Sequence, residues 1–306
     1  MNTNMTRNLK TLLIASAFVA IALTSMSSTA LAAEKLKAVA SFSILGDMVS
    51  RVGGDRVEVT TIVGPNSDTH IYEPKPSDAK AVAATQIFFV NGLGFEGWMD
   101  RFVESTGYKG PNIVASEGVA KREMEEDGKT ITDPHAWQNL SNGLIYVKNI
   151  ADGLCKVDAS NCDTFRKNAA AYSAEISALD AQVRAKIDDV PKAKRLVITT
   201  HDAFGYFGAA YGVKFIAPEG LSTESEASAA DVAKLITQIH TDRATALFIE
   251  NMSDPRLIEQ IANETGVKLG GALYADALSE KSQPGSTYLD MFKHNISLLA
   301  PAMMGI

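Results

Sequence analysis

Cysteine is almost absent from these 306 residues: there are two, Cys155 and Cys162, and none beside the apolar leader. That absence argues against a lipid anchor of the bacterial lipoprotein kind. Basic excess is absent too. Twenty-nine Lys and Arg face 36 Asp and Glu, a formal net charge of -7, and an acidic chain repels phosphate backbones, so nucleic acid is excluded as a partner. Long apolar runs are missing. The one candidate, LLIASAFVAIALTSM, is too short and wrongly flanked for a stable membrane span. Nor is there an HExxH or other hydrolase motif, or any short-period repeat.

What that apolar run does resemble is a leader. Arg7 and Lys10 precede it, and Ala30-Leu31-Ala32 follows as a small-residue cleavage pattern. Residues 1–32 are therefore expected to be a signal peptide. Its removal takes away two positive charges and no negative ones, so -7 becomes -9. The mature chain is expected to be soluble, periplasmic and not a lipoprotein. In that oxidising compartment Cys155 and Cys162 can close a short loop as a disulfide. A metal thiolate pair is the alternative, disfavoured by its spacing and by the lack of a nearby His.

Strand-like and helix-like runs alternate along both halves. LKAVASF, DRVEVTTIV, QIFFVNG and NIVAS read as strands, with ILGDMVSRVGG, SDAKAVAAT (opened by Ser77) and FEGWMDRFVEST as the helices between them. RLVITT, VKFIAPEG, RATALFIEN and KLGGALYADA repeat the pattern, with helices over AFGYFGAAYG, ASAADVAKLITQIHT, PRLIEQIANETG and the terminal GSTYLDMFKHNISLLAPAMM. Such alternation implies parallel sheets covered by helices. Between the halves, CDTFRKNAAAYSAEISALDAQVRAKIDDV has neither Gly nor Pro. About 25 helical residues at 1.5 Å each span nearly 40 Å, enough for a rigid spine between two lobes. The expected fold is α/β: an N-terminal lobe over 33–160, a spine helix over 161–192 and a C-terminal lobe over 193–306.

Three of the five histidines, His70, His135 and His201, together with Asp276, stand 65, 66 and 75 positions apart. His70, His201 and Asp276 each follow a strand-like run. His135 lies in TDPHAWQN, a loop before a helix. Ligands of open α/β sheets bind beyond the carboxyl ends of the strands, and three imidazoles with a carboxylate suit a borderline cation such as zinc. His240 and His294 fall within helices and are left out. Asp133 and Asp202 each neighbour a candidate and can orient an imidazole, although a helix N-cap is the favoured role for both. Trp137 is read first as a packed aromatic and second as a shield for the site.

The segments GPNSDTHIYEPKPSD, DPHAWQN, TTHDAFGYFGAAYGV, LFIEN and YADAL…STYLDMFKHN resemble those of the solute-binding proteins of zinc and manganese ABC importers, the ZnuA/TroA-like family. The likeness runs in order along the whole mature chain. It implies two α/β lobes on one long helix, a metal held by His70, His135, His201 and Asp276, and delivery to a membrane permease. A periplasmic metallochaperone is a second implied partner, and a monomer the implied state. Zinc-type members tend to carry His at the third ligand position and manganese-type members Glu. His201 therefore points to Zn²⁺, with Mn²⁺ less favoured, as the softer imidazole does. One departure is the stretch KREMEEDGKTITD, where many zinc members have a long His-rich loop. Glu123, Glu125, Glu126 and Asp127 are read as a solvated charged loop rather than a cation trap.

The competing expectations are a manganese or iron carrier of the same family and, from another class, a secreted zinc hydrolase. Glu250 in LFIEN would be the hydrolase's general base; in the carrier it joins Asp133 and Asp202 as a candidate to orient an imidazole or cap a helix. Four protein ligands would leave its zinc little room for substrate.

Overall fold

A computed structural model describes residues 34–306 apart from 127, 222, 224–227 and 243. The expected signal peptide, 1–32, lies outside the described residues, as does Asp127. Four strands, β1 (Leu36–Phe42), β2 (Val57–Val63), β3 (Ile87–Val90) and β4 (Asn112–Val114), form one parallel sheet in the order β2-β1-β3-β4. Their composition explains the pairing. β1 buries every residue but Lys37, and β3 buries all four of its own, as strands covered on both faces must. The helices α1 (Ser43–Gly53), α2 (Pro76–Ala84) and α3 (Met99–Thr106) make the crossovers. α2 opens differently from the reading at Ser77: Pro76 is its first residue, and the Asp78 carboxylate accepts the Lys75 N–H at 2.7 Å.

A short antiparallel hairpin, β5 (Glu123–Glu126) with β6 (Lys129–Thr132), occupies the stretch read as a charged loop. Its one buried side chain, Met124, gives the pair an inner face. Next come α4 (Leu140–Val157) and α5 (Cys162–Asp188), joined across their turn by the Cys155–Cys162 disulfide. Thus the thiolate-pair alternative does not apply.

Helix α5 has 27 residues. It buries Phe165, Ala169, Tyr172, Ile176, Leu179, Val183 and Ile187, a stripe at three- and four-residue spacing. The stripe bridges the two halves of the molecule. Towards its start α5 meets α1, where Asn168 Nδ2 donates to the Val52 carbonyl at 3.0 Å, and at its middle Glu175 pairs with Arg51. Towards its end Asp180 accepts from the Tyr211 hydroxyl on α6 (Gly205–Tyr211). This is the expected spine.

The second sheet holds β7 (Leu196–Ile198), β8 (Lys214–Ile216), β9 (Leu247–Glu250) and β10 (Leu269–Leu273), parallel in the order β10-β9-β7-β8. Read from the other edge, its order is the first sheet's: second strand, first, third, fourth. Helices α6, α7 (Ala229–Asp242), α8 (Arg256–Thr265) and α9 (Tyr288–Met304) accompany it. No helix among the described residues is long and apolar enough to cross a membrane. In each sheet the chain reverses direction beside its first strand, and the crevice beyond that point is where such sheets bind ligands.

Candidate metal centre

All four candidate residues converge in the crevice. His70 leaves the loop after β2, His201 follows β7, and Asp276 follows β10. His135 comes from the turn between β6 and α4. Their potential ligand atoms lie within 4.8 Å of one another. Asp276 Oδ2 is 3.1 Å from His70 Nε2, 3.1 Å from His201 Nε2 and 3.7 Å from His135 Nε2. The two nitrogens His135 Nε2 and His70 Nε2 are 3.4 Å apart. A tetrahedral zinc with bonds of about 2.0–2.1 Å would space its ligand atoms by about 3.3 Å. These four separations are edges of that size, so the donor set fits such an ion.

The site is deeply enclosed. The side chains of His135, His201 and Asp276 are fully buried, and His70 is 8 % exposed. Although it is buried, Asp276 Oδ1 finds no hydrogen-bond partner among the described residues. Buried acceptors are normally satisfied, so a free carboxylate oxygen amid three imidazoles is a further sign of a cation's place. Phe95 stands edge-on to His70 and His135, and Trp137 edge-on to Phe95 and His135. Trp137 is thus both packed aromatic and shield, its indole N–H donating to the Ala275 carbonyl at 3.0 Å, next to Asp276.

Two acids hold the imidazoles from behind. Asp133 Oδ1 lies 2.9 Å from His135 Nδ1 and also accepts the His135 backbone N–H at 3.0 Å. Its other oxygen accepts from Arg122 at 2.8 Å. Gly205 leaves room for that ion pair, since a Cβ there would overlap both partners. Glu250 Oε2 bonds His201 Nδ1, while Oε1 accepts the backbone N–H groups of Thr200 and His201. With Nδ1 so engaged, each ring presents Nε2 forward. The N-cap role favoured for Asp133 and Asp202 is not what the structure shows. Asp133 backs a ring, while α6 begins after Phe204 with no side-chain cap. Asp202 makes no bond to the ring of its neighbour; its N–H donates to the Gly220 carbonyl.

Charge follows from this enclosure. Burial opposes the protonated form of His201, but Glu250 and Asp276 outweigh it and hold the imidazole well above the usual histidine range. Burial likewise opposes ionisation of Asp276, yet His201 and His135 keep its carboxyl well below the ordinary value. Asp133 is held low by His135 and Arg122 against burial, whereas burial and the neighbouring Asp133 push Asp202 up. In the metal-free protein a proton on His201 therefore supplies part of the positive charge that the buried carboxylates require. A metal ion would replace it.

Residues 38–302 match the family model described as ZnuA, zinc-uptake complex component A, periplasmic. The chain belongs to the ZnuA family. It is 33% identical over 298 residues to the iron ABC transporter substrate-binding lipoprotein MtsA of Streptococcus pyogenes serotype M1, covering 94% of this chain and 95% of MtsA. The manganese ABC transporter substrate-binding lipoprotein PsaA of Streptococcus anginosus is 32% identical over 307 residues, with 97% and 99% covered. Among solved structures, the periplasmic zinc binding protein TroA of Treponema pallidum superposes with a TM-score of 0.84 at 28% identity, over 88% of this chain and 99% of TroA. As a ZnuA-family member this chain is a metal-binding substrate-binding protein that works with the permease and ATPase of an ABC importer, and it is not an enzyme. The hydrolase expectation falls with that, and Glu250 has no free oxygen to act as its base.

The relatives also correct one expectation. MtsA, PsaA and the ScbA protein of Streptococcus cristatus are all named lipoproteins. The expectation that the chain is not a lipoprotein is overturned by them. An apolar leader reports export. The denial of an anchor rested on the lack of a Cys beside the leader, and residues 1–32 lie outside the described residues.

Arg122 and Phe95 were not singled out from the sequence, whereas Gly64-Pro65-Asn66, with Pro74 and Pro76 beyond, reads there as a tight, rigid loop holding His70. Arg122 sits in a charged stretch with no periodicity, and Phe95 is one of 12 phenylalanines. Neither carries a local signal of what it faces.

Proposed function

We propose that this chain captures one Zn²⁺ between its two lobes, on His70, His135, His201 and Asp276, and passes it to the membrane permease. The observation that carries this is the set of 3.1–3.7 Å separations among three imidazoles and one carboxylate. Three nitrogen donors favour zinc over a harder ion such as manganese. The ligand set is complete within one chain, which supports a working monomer. Two ligands come from each proposed lobe, 33–160 and 193–306, with the spine over 161–192, so bound metal would tie the lobes together. Binding requires loss of the His201 proton, so affinity falls as the medium becomes more acidic.

A second reading, manganese or iron as cargo, draws on the names of PsaA and MtsA. Zinc outcompetes manganese at most nitrogen sites in vitro whatever the biological cargo. The deciding measurements are therefore two. Metal analysis of protein isolated from its native cell envelope should find zinc; manganese or iron there would establish the second reading. Chelator-competition titration of His201→Ala should show a loss greater than the roughly 10–100-fold typical of an outer-shell partner. A titration matching wild type would refute the ligand assignment.

A further inference from the structure

His70 is the least enclosed of the four ligands, and its loop is anchored in an unexpected place. Residues 64–70 leave β2 of the first sheet, yet they are bonded to loops that leave the second. The Asn66 N–H donates to the Leu278 carbonyl at 2.9 Å. Asn66 Oδ1 accepts from Asn251 Nδ2 at 2.8 Å. Asn251 directly follows β9, and Leu278 lies two residues beyond Asp276. Further along, Asp68 Oδ1 accepts the His70 N–H at 2.8 Å while Oδ2 accepts the Thr223 hydroxyl at 2.6 Å. On its own side the loop is held by the Trp98 indole, which donates to the Thr69 carbonyl at 2.8 Å.

Asn66 also has φ +52, one of two described non-glycine residues in the left-handed region. That conformation is unfavourable for an L-residue and is tolerated best by Asn, Asp and Gly. Here it accompanies a residue whose backbone and side chain both bond across the crevice. None of these groups is a candidate ligand.

We propose that Asn66, with Asp68 beside His70, is a clasp between the lobes that positions His70 over the bound metal and sets the rate of metal release. The inference rests on the metal-site reading above. Metal cannot leave while all four donors close on it, and His70, alone in having exposed surface, is the donor best placed to withdraw. The bonds from Asn66 to Asn251 and Leu278 oppose that withdrawal. They act on the closed arrangement and not on the metal bonds, so the clasp changes how long the site stays shut without changing which atoms bind. Asn66 and Asp68 are thus positioning residues.

The test uses the full chain loaded with Co²⁺, whose visible absorption reports its ligands, and with Zn²⁺. Dissociation into excess chelator is followed by stopped flow. Asn251→Ala removes the side-chain bond, and Asn66→Gly removes the same bond while keeping the N–H and the left-handed backbone. Each should release metal about three- to tenfold faster, as expected for one neutral hydrogen bond. Both delete the Asn66–Asn251 bond, and Asn251→Ala also deletes the Asn251 Nδ2 bond to the Ala277 carbonyl at 3.2 Å, so the double variant should be no faster than the quicker single. Asn66→Asp, which retains the acceptor and tolerates the backbone, should restore the slow rate. The Co²⁺ spectrum and one-to-one stoichiometry should be unchanged throughout. Off-rates within twofold of wild type in both single variants would overturn the clasp, as would an altered spectrum or failure of Asn66→Asp to rescue. If the wild-type chain itself fails to bind Co²⁺ one-to-one, the metal-site reading is what has failed.

Discussion

Replacing Asp47 by Asn should stabilise the protein, and by an amount that depends on pH. Asp47 sits where α1, α5 and α9 meet. Its Oδ2 accepts the Tyr288 N–H at the start of α9 at 2.9 Å, and the Tyr172 hydroxyl of α5 is 3.5 Å away. Burial pushes its carboxyl up from 3.8 to about 6, with Asp290 adding to the rise, against the Tyr288 hydrogen bond and Arg51. At roughly 1.4 kcal/mol per pH unit this rise represents about 3 kcal/mol. The sign is opposite to that of most structural carboxylates. Between pH 4 and 6 the folded state holds a proton that the unfolded state has lost, so this group's contribution falls as pH rises through that window. Above pH 6 the ionised form destabilises the fold by the full amount. An Asn side chain keeps an acceptor for Tyr288 and never ionises. Thermal unfolding of the metal-free variant and wild type should therefore coincide near pH 4 and diverge through pH 6. At neutral pH a gap on the order of 5 °C in Tm follows if about half the 3 kcal/mol survives relaxation. Other titrating groups are common to both proteins and cancel in the difference. A gap independent of pH, or a variant less stable than wild type at pH 7, would refute the reasoning.

Two further outcomes follow from the site and the spine. Glu250→Gln should weaken zinc binding about 10–100-fold. Because Glu250 helps hold His201 above its usual range, the acid-side loss of affinity should also move to lower pH; chelator competition across pH 5–8 checks both. Replacing Cys155 and Cys162 together by Ser should cost about 2 kcal/mol by the loop-entropy estimate, read by urea unfolding. Zinc affinity should stay the same in that variant, because about 20 Å of α4 separates the bridge from the His135 end of the helix.

The alternation of strand and helix was legible because periodicity is local. β1 spans Leu36–Phe42, the run LKAVASF as read, and α5 begins at Cys162 as the breaker-free segment does. The placement of His70, His201 and Asp276 after strands was legible for the same reason. The β5–β6 hairpin was not, since EMEE and KTIT carry one buried side chain between charged neighbours and only their pairing makes them strands. Nor could the two acids beside histidines be told apart. Asp133 and Asp202 are equally adjacent in sequence, yet only Asp133 bonds its imidazole's ring; burial raises both carboxyls, but His135 and Arg122 bring Asp133 below its ordinary value while Asp202 stays raised.

Residue type and period, by themselves, determined an exported-looking α/β chain with a spine helix and four metal-competent side chains. Tertiary structure alone decided what stands behind and beside them. Glu250 reaches His201 across 49 positions because β9 lies next to β7, and Asn66 reaches Leu278 across 212 (278 less 66) because two sheets of one topology face one crevice. Helical and strand periods are written in neighbouring residues. Convergence is set by which strands lie side by side, and no local pattern encodes that.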